Sequence, residues 1–142
     1  MKKPNQIKID RDKLIKAQPS IRKLLRWAWE LRTTNKKQGR NYLKTMTNNY
    51  CCLGILADMH NAKWRTVTSN NKVYYLDKNC SLIVDTDFTT FTGFKYYVQD
   101  SFFLANDNNQ LTFKEISNEI IILCWFVLLS KIGLYKVKGI MS

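Results

Sequence analysis

Glycine is scarce in this chain and never clustered: Gly39, Gly54, Gly93, Gly133 and Gly139 stand singly. That isolation excludes both the G-x-x-x-x-G-K and the G-x-G-x-x-G phosphate-binding loops. Histidine occurs once, as His60, and the four cysteines (Cys51, Cys52, Cys80 and Cys124) contain no C-x2-C pair. Neither a structural zinc site nor a dithiol redox motif has the spacing it needs, and adjacent cysteines on a helix point apart. No cofactor is expected. Long apolar runs are also missing. The longest, IIILCWFVLL (120–129), is ten residues, against roughly 18 to 20 for a membrane span. The opening MKKPNQIKIDRDK has lysines but no apolar core, so no secretory signal is read there. With no disulfide framework either, a reducing cytosol is the expected compartment.

Acidic residues are the other shortage. The 142 residues carry 23 Lys and Arg against 11 Asp and Glu, a formal charge of +12. Residues 1–44 hold 14 of those basic side chains and only Asp10, Asp12 and Glu30 as acids, so the remainder of the chain is close to neutral. Such asymmetry is the footprint of a polyanionic partner: nucleic acid, nucleotide phosphates or an anionic surface. A solvated basic face that keeps the protein in solution is the plain alternative.

What is present reads as one domain with two kinds of patterning. Residues 1–19 form a basic polar leader, and 20–142 a single α+β domain of about three helices packed on a short antiparallel sheet. Ser20 is a candidate N-cap for IRKLLRWAWELR, in which Ile21, Leu24, Leu25, Ala28 and Leu31 have the spacing of one buried helical face. Trp27 and Trp29 are taken as packing residues. TTNKKQGRN is a polar loop. NNYCCLGILADMH (48–60), capped by Asn48 or Asn49, is apolar nearly all round. It predicts a buried helix in which Gly54 admits a close neighbour. WRTV and KVYYL, joined by TSNN, predict a β-hairpin, and CSLIV (80–84) is a candidate third strand. Phe88, Phe91 and Phe94 suit a short helical turn. Asn106-Asp107 reads as an Asx turn, and Thr112 with Glu115 has capping-box spacing at the start of a last helix that runs into the apolar segment.

The order W…LR, Gln38-Gly39, Tyr50-Cys51-Cys52-Leu53-Gly54-Ile55-Leu56, Phe91 to Phe94, Asn106-Asp107 and Thr112 to Ile116 resembles a widespread family of small bacteriophage and prophage proteins. The Y-C-C-L-G-(V/I)-L block is its most specific part, and the likeness covers roughly residues 24 to 120. It implies a phage or prophage origin, and so the cytoplasm of a bacterial host. It carries no activity or catalytic residue to this chain. The chain departs from the family pattern at Ala57-Asp58, where a further cysteine is usual, and in its apolar 120–129 segment.

Catalysis has no specific support in the residues. Cys52 and His60 stand two helical turns apart, about 12 Å along the axis, so a cysteine-dependent enzyme is the weakest reading and core packing the preferred one for Cys51 and Cys52. A helix-turn-helix is excluded because no polar recognition helix follows TFKEISNEI. Binding is better served. Arg22, Lys23, Arg26 and Arg32, continued by Lys36, Lys37 and Arg40, form a candidate anion-binding stripe, and Tyr74, Tyr75, Tyr96 and Tyr97 are candidate stacking faces for bases. The expectation is therefore a non-catalytic protein that binds nucleic acid or a nucleotide signal, in counter-defence or host takeover. The alternative is a protein-protein interaction module acting on a host or virion protein through 120–129. Homo-oligomerisation is left open.

Overall fold

The computed structural model describes residues 11–136 except 17, 41, 46, 61–63, 70–71, 78–101, 103–104 and 108–109. Its helices are α1 (Arg11–Lys16), α2 (Ile21–Thr33), α3 (Cys52–Met59) and α4 (Phe113–Lys131), with a further helical turn at 105–107. Its strands are β1 (Lys37–Gln38), β2 (Lys44–Thr45), β3 (Asn49–Tyr50), β4 (Trp64–Ser69) and β5 (Lys72–Asp77), in the order β1-β3-β2-β5-β4. The α+β class is as expected. One pair, β1 with β3, is parallel, so the sheet is mixed and not wholly antiparallel.

The Ser20 hydroxyl caps α2 by accepting the Lys23 N–H at 3.3 Å. Leu24, Trp27, Ala28 and Leu31 are buried at helical spacing, whereas Leu25 is 46% and Trp29 66% exposed. Trp27 packs as expected; Trp29, two positions on and about 200° round the helix, does not. At the far end of the chain, Thr112 and Glu115 form the reciprocal capping box, with bonds of 3.1 and 3.0 Å. From there α4 buries Phe113, Ile116, Ile120, Leu123, Cys124 and Val127.

The Ser117 hydroxyl donates to the Ala28 carbonyl at 2.9 Å, and Ile21 and Leu25 border Cys124 and Leu128, so α2 and α4 run antiparallel. Residues 11–16 of the polar leader are helical. Leu14 and Ile15 are buried, and Arg11 pairs with Glu119 of α4 at 3.6 Å.

The hairpin is present, with Trp64 to Ser69 facing Asp77 to Lys72 in unbroken register. Its strands reach Ser69, further than the TSNN turn allows. Extended pairing at β1 and at Asn49–Tyr50 replaces two other readings: the TTNKKQGRN loop contains a strand, and neither Asn48 nor Asn49 caps α3. Cys51 does, its sulfur accepting the Gly54 N–H at 3.3 Å. CSLIV, the Phe88–Phe94 turn, Tyr96 and Tyr97 lie outside the described residues.

Cys52 to Ala57 are buried without interruption. The cause of Gly54 is geometric: a Cβ built there would lie 1.8 Å from the Leu43 carbonyl oxygen. Helix and chain at Leu43 touch backbone to backbone, and the Cys51 N–H donates to that same carbonyl at 3.2 Å. Gly54→Ala should therefore cost about 3 kcal/mol or more, beyond an ordinary overpacking penalty, because backbone and not a flexible side chain must move. Urea unfolding of the variant checks this; a midpoint within error of the wild type would refute the close approach.

A buried polar hub and the basic surface it positions

Three stretches far apart in sequence, at 38–39, 52 and 106–107, meet at one carboxamide. The Asn106 side chain is fully buried; its Oδ1 accepts from Gln38 Nε2 at 2.8 Å and from the Cys52 N–H at 3.1 Å. Its Nδ2 donates to the Gly39 carbonyl at 2.9 Å and to Asp107 Oδ1 at 2.8 Å. Gln38 extends the network to the start of α4, donating to the Leu111 carbonyl at 2.6 Å and accepting the Phe113 N–H at 3.1 Å. Asn106-Asp107 is thus a buried helical junction, not the Asx turn expected. Tertiary partners satisfy the amide where a local turn would otherwise do so.

The vicinal cysteines belong to this hub. The Cys52 thiol donates to the Phe102 carbonyl at 3.3 Å, and the Cys52 carbonyl accepts from the Trp27 indole at 3.0 Å. Burial pushes the Cys51 thiol up to about 12, with Asp107 adding to the rise against the opposing Gly54 N–H. Burial, then Cys51 and Asp107, drive Cys52 well above its ordinary value. His60 caps the opposite end of α3, its ring Nδ1 donating to the Leu56 carbonyl at 2.9 Å. Thiolate is the nucleophile and the metal ligand, so both sulfurs are held in their inert form. Among the described residues no three His, Cys, Asp or Glu side chains come together as a metal site.

The hub fixes β1, and β1 fixes the basic surface. Gln38 is tied down and paired with Tyr50, which sets Lys37 opposite Asn49. Residues Thr33, Thr34, Asn35, Lys36 and Lys37 then line one wall of an open depression of about 650 Å³, facing Thr47, Asn48 and Tyr50. Asn48 adopts φ 60°, a left-handed conformation asparagine tolerates, with its N–H on the Thr45 carbonyl at 2.9 Å. That turn brings Thr47 and Asn48 to the rim. Glu30 also lines the depression, as its acid.

Beside it, Lys36 Nζ is 3.2 Å from Asp58 and 5.6 Å from the Tyr50 ring. Lys44 Nζ lies 5.2 Å from Tyr50 and 5.5 Å from Trp64. The Trp64 indole donates to Asp58 at 3.3 Å. Asp58 thereby offsets part of the lysine charge, and Lys37, exposed and outside any ion pair among the described residues, is the cation most available to a ligand.

The candidate stripe divides when placed on this frame. Arg22 and Arg26 point to solvent opposite the buried face of α2. Lys23 and Arg40 are exposed beside them and beyond β1. Arg32 is turned away, donating through Nε to Ser117 at 3.3 Å and through its terminal nitrogen to Asn118. Tyr74 and Tyr75 are held in the sheet opposite Thr45 and Lys44. Sequence reasoning missed Tyr50, Trp64, Thr47 and Asn48. For Tyr50, Thr47 and Asn48 the contribution depends on pairing between β2 and β3, strands of two residues that leave no periodic signal.

Asn106→Ala should destabilise the fold by about 2 to 4 kcal/mol, since it strands four partner groups in a buried site; chemical denaturation reads it. Cys51 and Cys52 should react with a thiol reagent only at the rate of unfolding. Below pH 9.0 both folded and unfolded chains keep the Cys51 proton; between there and about 12 only the unfolded chain releases it. This thiol therefore lowers stability as pH rises through that window, and alkaline unfolding of Cys51→Ala, which lacks the thiol, should show a shallower fall. Comparison with protein-family models, with curated proteins and with solved structures found no match.

Proposed function

We propose that this chain is a non-catalytic accessory protein of a phage or prophage that binds a phosphate-bearing partner, nucleic acid or a nucleotide. The phage setting rests on the resemblance of the Tyr50 to Leu56 block. The binding reading rests on one observation: the depression lined by Lys36, Lys37, Thr33, Thr34, Asn35, Thr47 and Asn48 sets two ammonium groups among hydroxyl and amide donors. Lysine supplies point charge for phosphate, and threonine and asparagine supply the neutral donors that orient its oxygens. The charge excess of the first 44 residues supports the same reading, since it raises the local concentration of anions around the protein. Counter-defence or host takeover is the biological role that such capture would serve.

A second reading is favoured by a separate surface. Leu25, Trp125, Leu128, Ile132 and Leu134 are between 42% and 74% exposed, and an apolar groove of about 240 Å³ runs between Ile21 and Leu25 on one side and Ile121, Trp125 and Leu128 on the other. Exposed apolar area of this kind marks contact surfaces. It suits a protein partner bound through the 120–129 segment. No helix among the described residues is long and apolar enough to cross a membrane.

Calorimetric titration with inorganic tripolyphosphate and with a nucleoside triphosphate, at about 50 and 200 mM salt, tests the first reading. Binding that weakens steeply with salt and falls at least about tenfold in Lys37→Glu is expected. Absence of binding to either probe at low salt overturns it. Salt-tolerant association with a host protein that is lost in Trp125→Ser/Leu128→Ser moves the assignment to the second.

A further inference from the structure

Deepening the phosphate-binding reading, and resting on it, we infer that the ligand is single-stranded nucleic acid laid along the outer face of α2, with Trp29 as its stacking platform. Three observations carry this. Arg22, Arg26, Trp29 and Thr33 recur at intervals of four, three and four residues and are all exposed, so they form one stripe directly opposite the buried Leu24, Trp27, Ala28 and Leu31. Thr33 and Glu30 at the end of that stripe also line the lysine depression, which makes stripe and depression one surface. Trp29 and Arg26, with Leu25, Glu30 and Met59, border a second open hollow of about 510 Å³ beside the stripe.

The geometry selects among phosphate ligands. From Arg22 to Thr33 the stripe runs about 16 Å at 1.5 Å per residue, and Lys36 and Lys37 lie beyond its end. One mononucleotide does not reach from Arg22 to Lys37, whereas a strand does. An indole 66% exposed between two guanidinium groups and two ammonium groups alternates a π-face with phosphate contacts, the arrangement that binds unpaired bases without sequence preference. In duplex nucleic acid the base faces are stacked on one another, so a duplex offers Trp29 nothing. Arg22 and Arg26 have no ion pair among the described residues and are open to phosphate.

The test measures fluorescence anisotropy of labelled dodecathymidylate, the same sequence as a duplex with its complement, and tripolyphosphate as competitor. The single strand should bind at least about tenfold tighter than the duplex, and four phosphate contacts predict a log-log salt slope of about −3. Trp29→Ala, a surface change whose folding is checked by its thermal midpoint, should weaken the single strand about tenfold, with Trp29→Phe recovering part of the loss. Its affinity for tripolyphosphate should stay within about twofold, because tripolyphosphate has no ring to stack. Arg22→Gln/Arg26→Gln should lower the slope by about 1.4. If tripolyphosphate binds but the duplex matches the single strand, or Trp29→Ala changes nothing, the strand track is refuted while the phosphate site stands. If no probe binds, both fail.

Discussion

The carboxamide of Asn106 is the constraint on which the arrangement depends. One side chain with two acceptor sites and two donors faces Gln38, Cys52, Gly39 and Asp107, and burial makes each of those bonds necessary. A buried amide left unpaired costs more than a paired one contributes. The start of α3, the edge strand β1 and the entry to α4 hold their relative positions through a single residue and the glutamine that extends it. Gly54 completes the constraint from the other side, since without a side chain it lets α3 lie on the Leu43 carbonyl.

This hub also explains a coincidence in the sequence. Gln38-Gly39, Cys51-Cys52-Leu53-Gly54 and Asn106-Asp107 are the short polar or small-residue blocks that stand out along the chain, and all of them lie in or against the network. A cysteine pair next to an Asn-Asp pair invites a catalytic interpretation, yet the electrostatics oppose one. Burial and the neighbouring carboxylate both raise the thiols, and no cation among the described residues of the hub stabilises a thiolate. The same residues serve packing and hydrogen bonding well: Cys51 caps a helix, and Cys52 donates its weak S–H to the Phe102 carbonyl while its own carbonyl accepts the Trp27 indole.

Elements whose stability is local were legible in the sequence. The cap at Ser20, the capping box at Thr112 and Glu115, the helix 52–59 with its glycine and the hairpin each announce themselves within a window of a few residues, because the forces that form them act within one. The parts that escaped depend on partners far along the chain. Strands of two residues have no period, so β1 was invisible in TTNKKQGRN. Asn106-Asp107 has turn composition and becomes a core junction only because Gln38 and Cys52 arrive from elsewhere. Trp29 was misjudged for a related reason: residue type suggested packing, while its position on the wheel, opposite Leu24 and Leu31, already placed it in solvent. The basic stripe was legible as composition but not as geometry, since only the fold turns Arg32 onto α4 and leaves Arg22 and Arg26 outward.

α2 joins the two surfaces by presenting three faces to three environments. Its inner face meets α3 and α4; one flank, through Leu25, opens on the apolar groove; the outer face carries arginine and tryptophan. A helix of thirteen residues has little helical stability of its own, so its inner face must supply the packing that holds the other two in place. Trp27 does most of this, burying a large ring, meeting Phe102 edge to face at 5.0 Å and bonding to Cys52. The hub that positions the lysine depression and the packing that orients the outer stripe therefore share a residue contact, Trp27 to Cys52. A change there alters both halves of the proposed binding surface together, whereas changes at Trp29 or Lys37 act on one half and leave the scaffold intact.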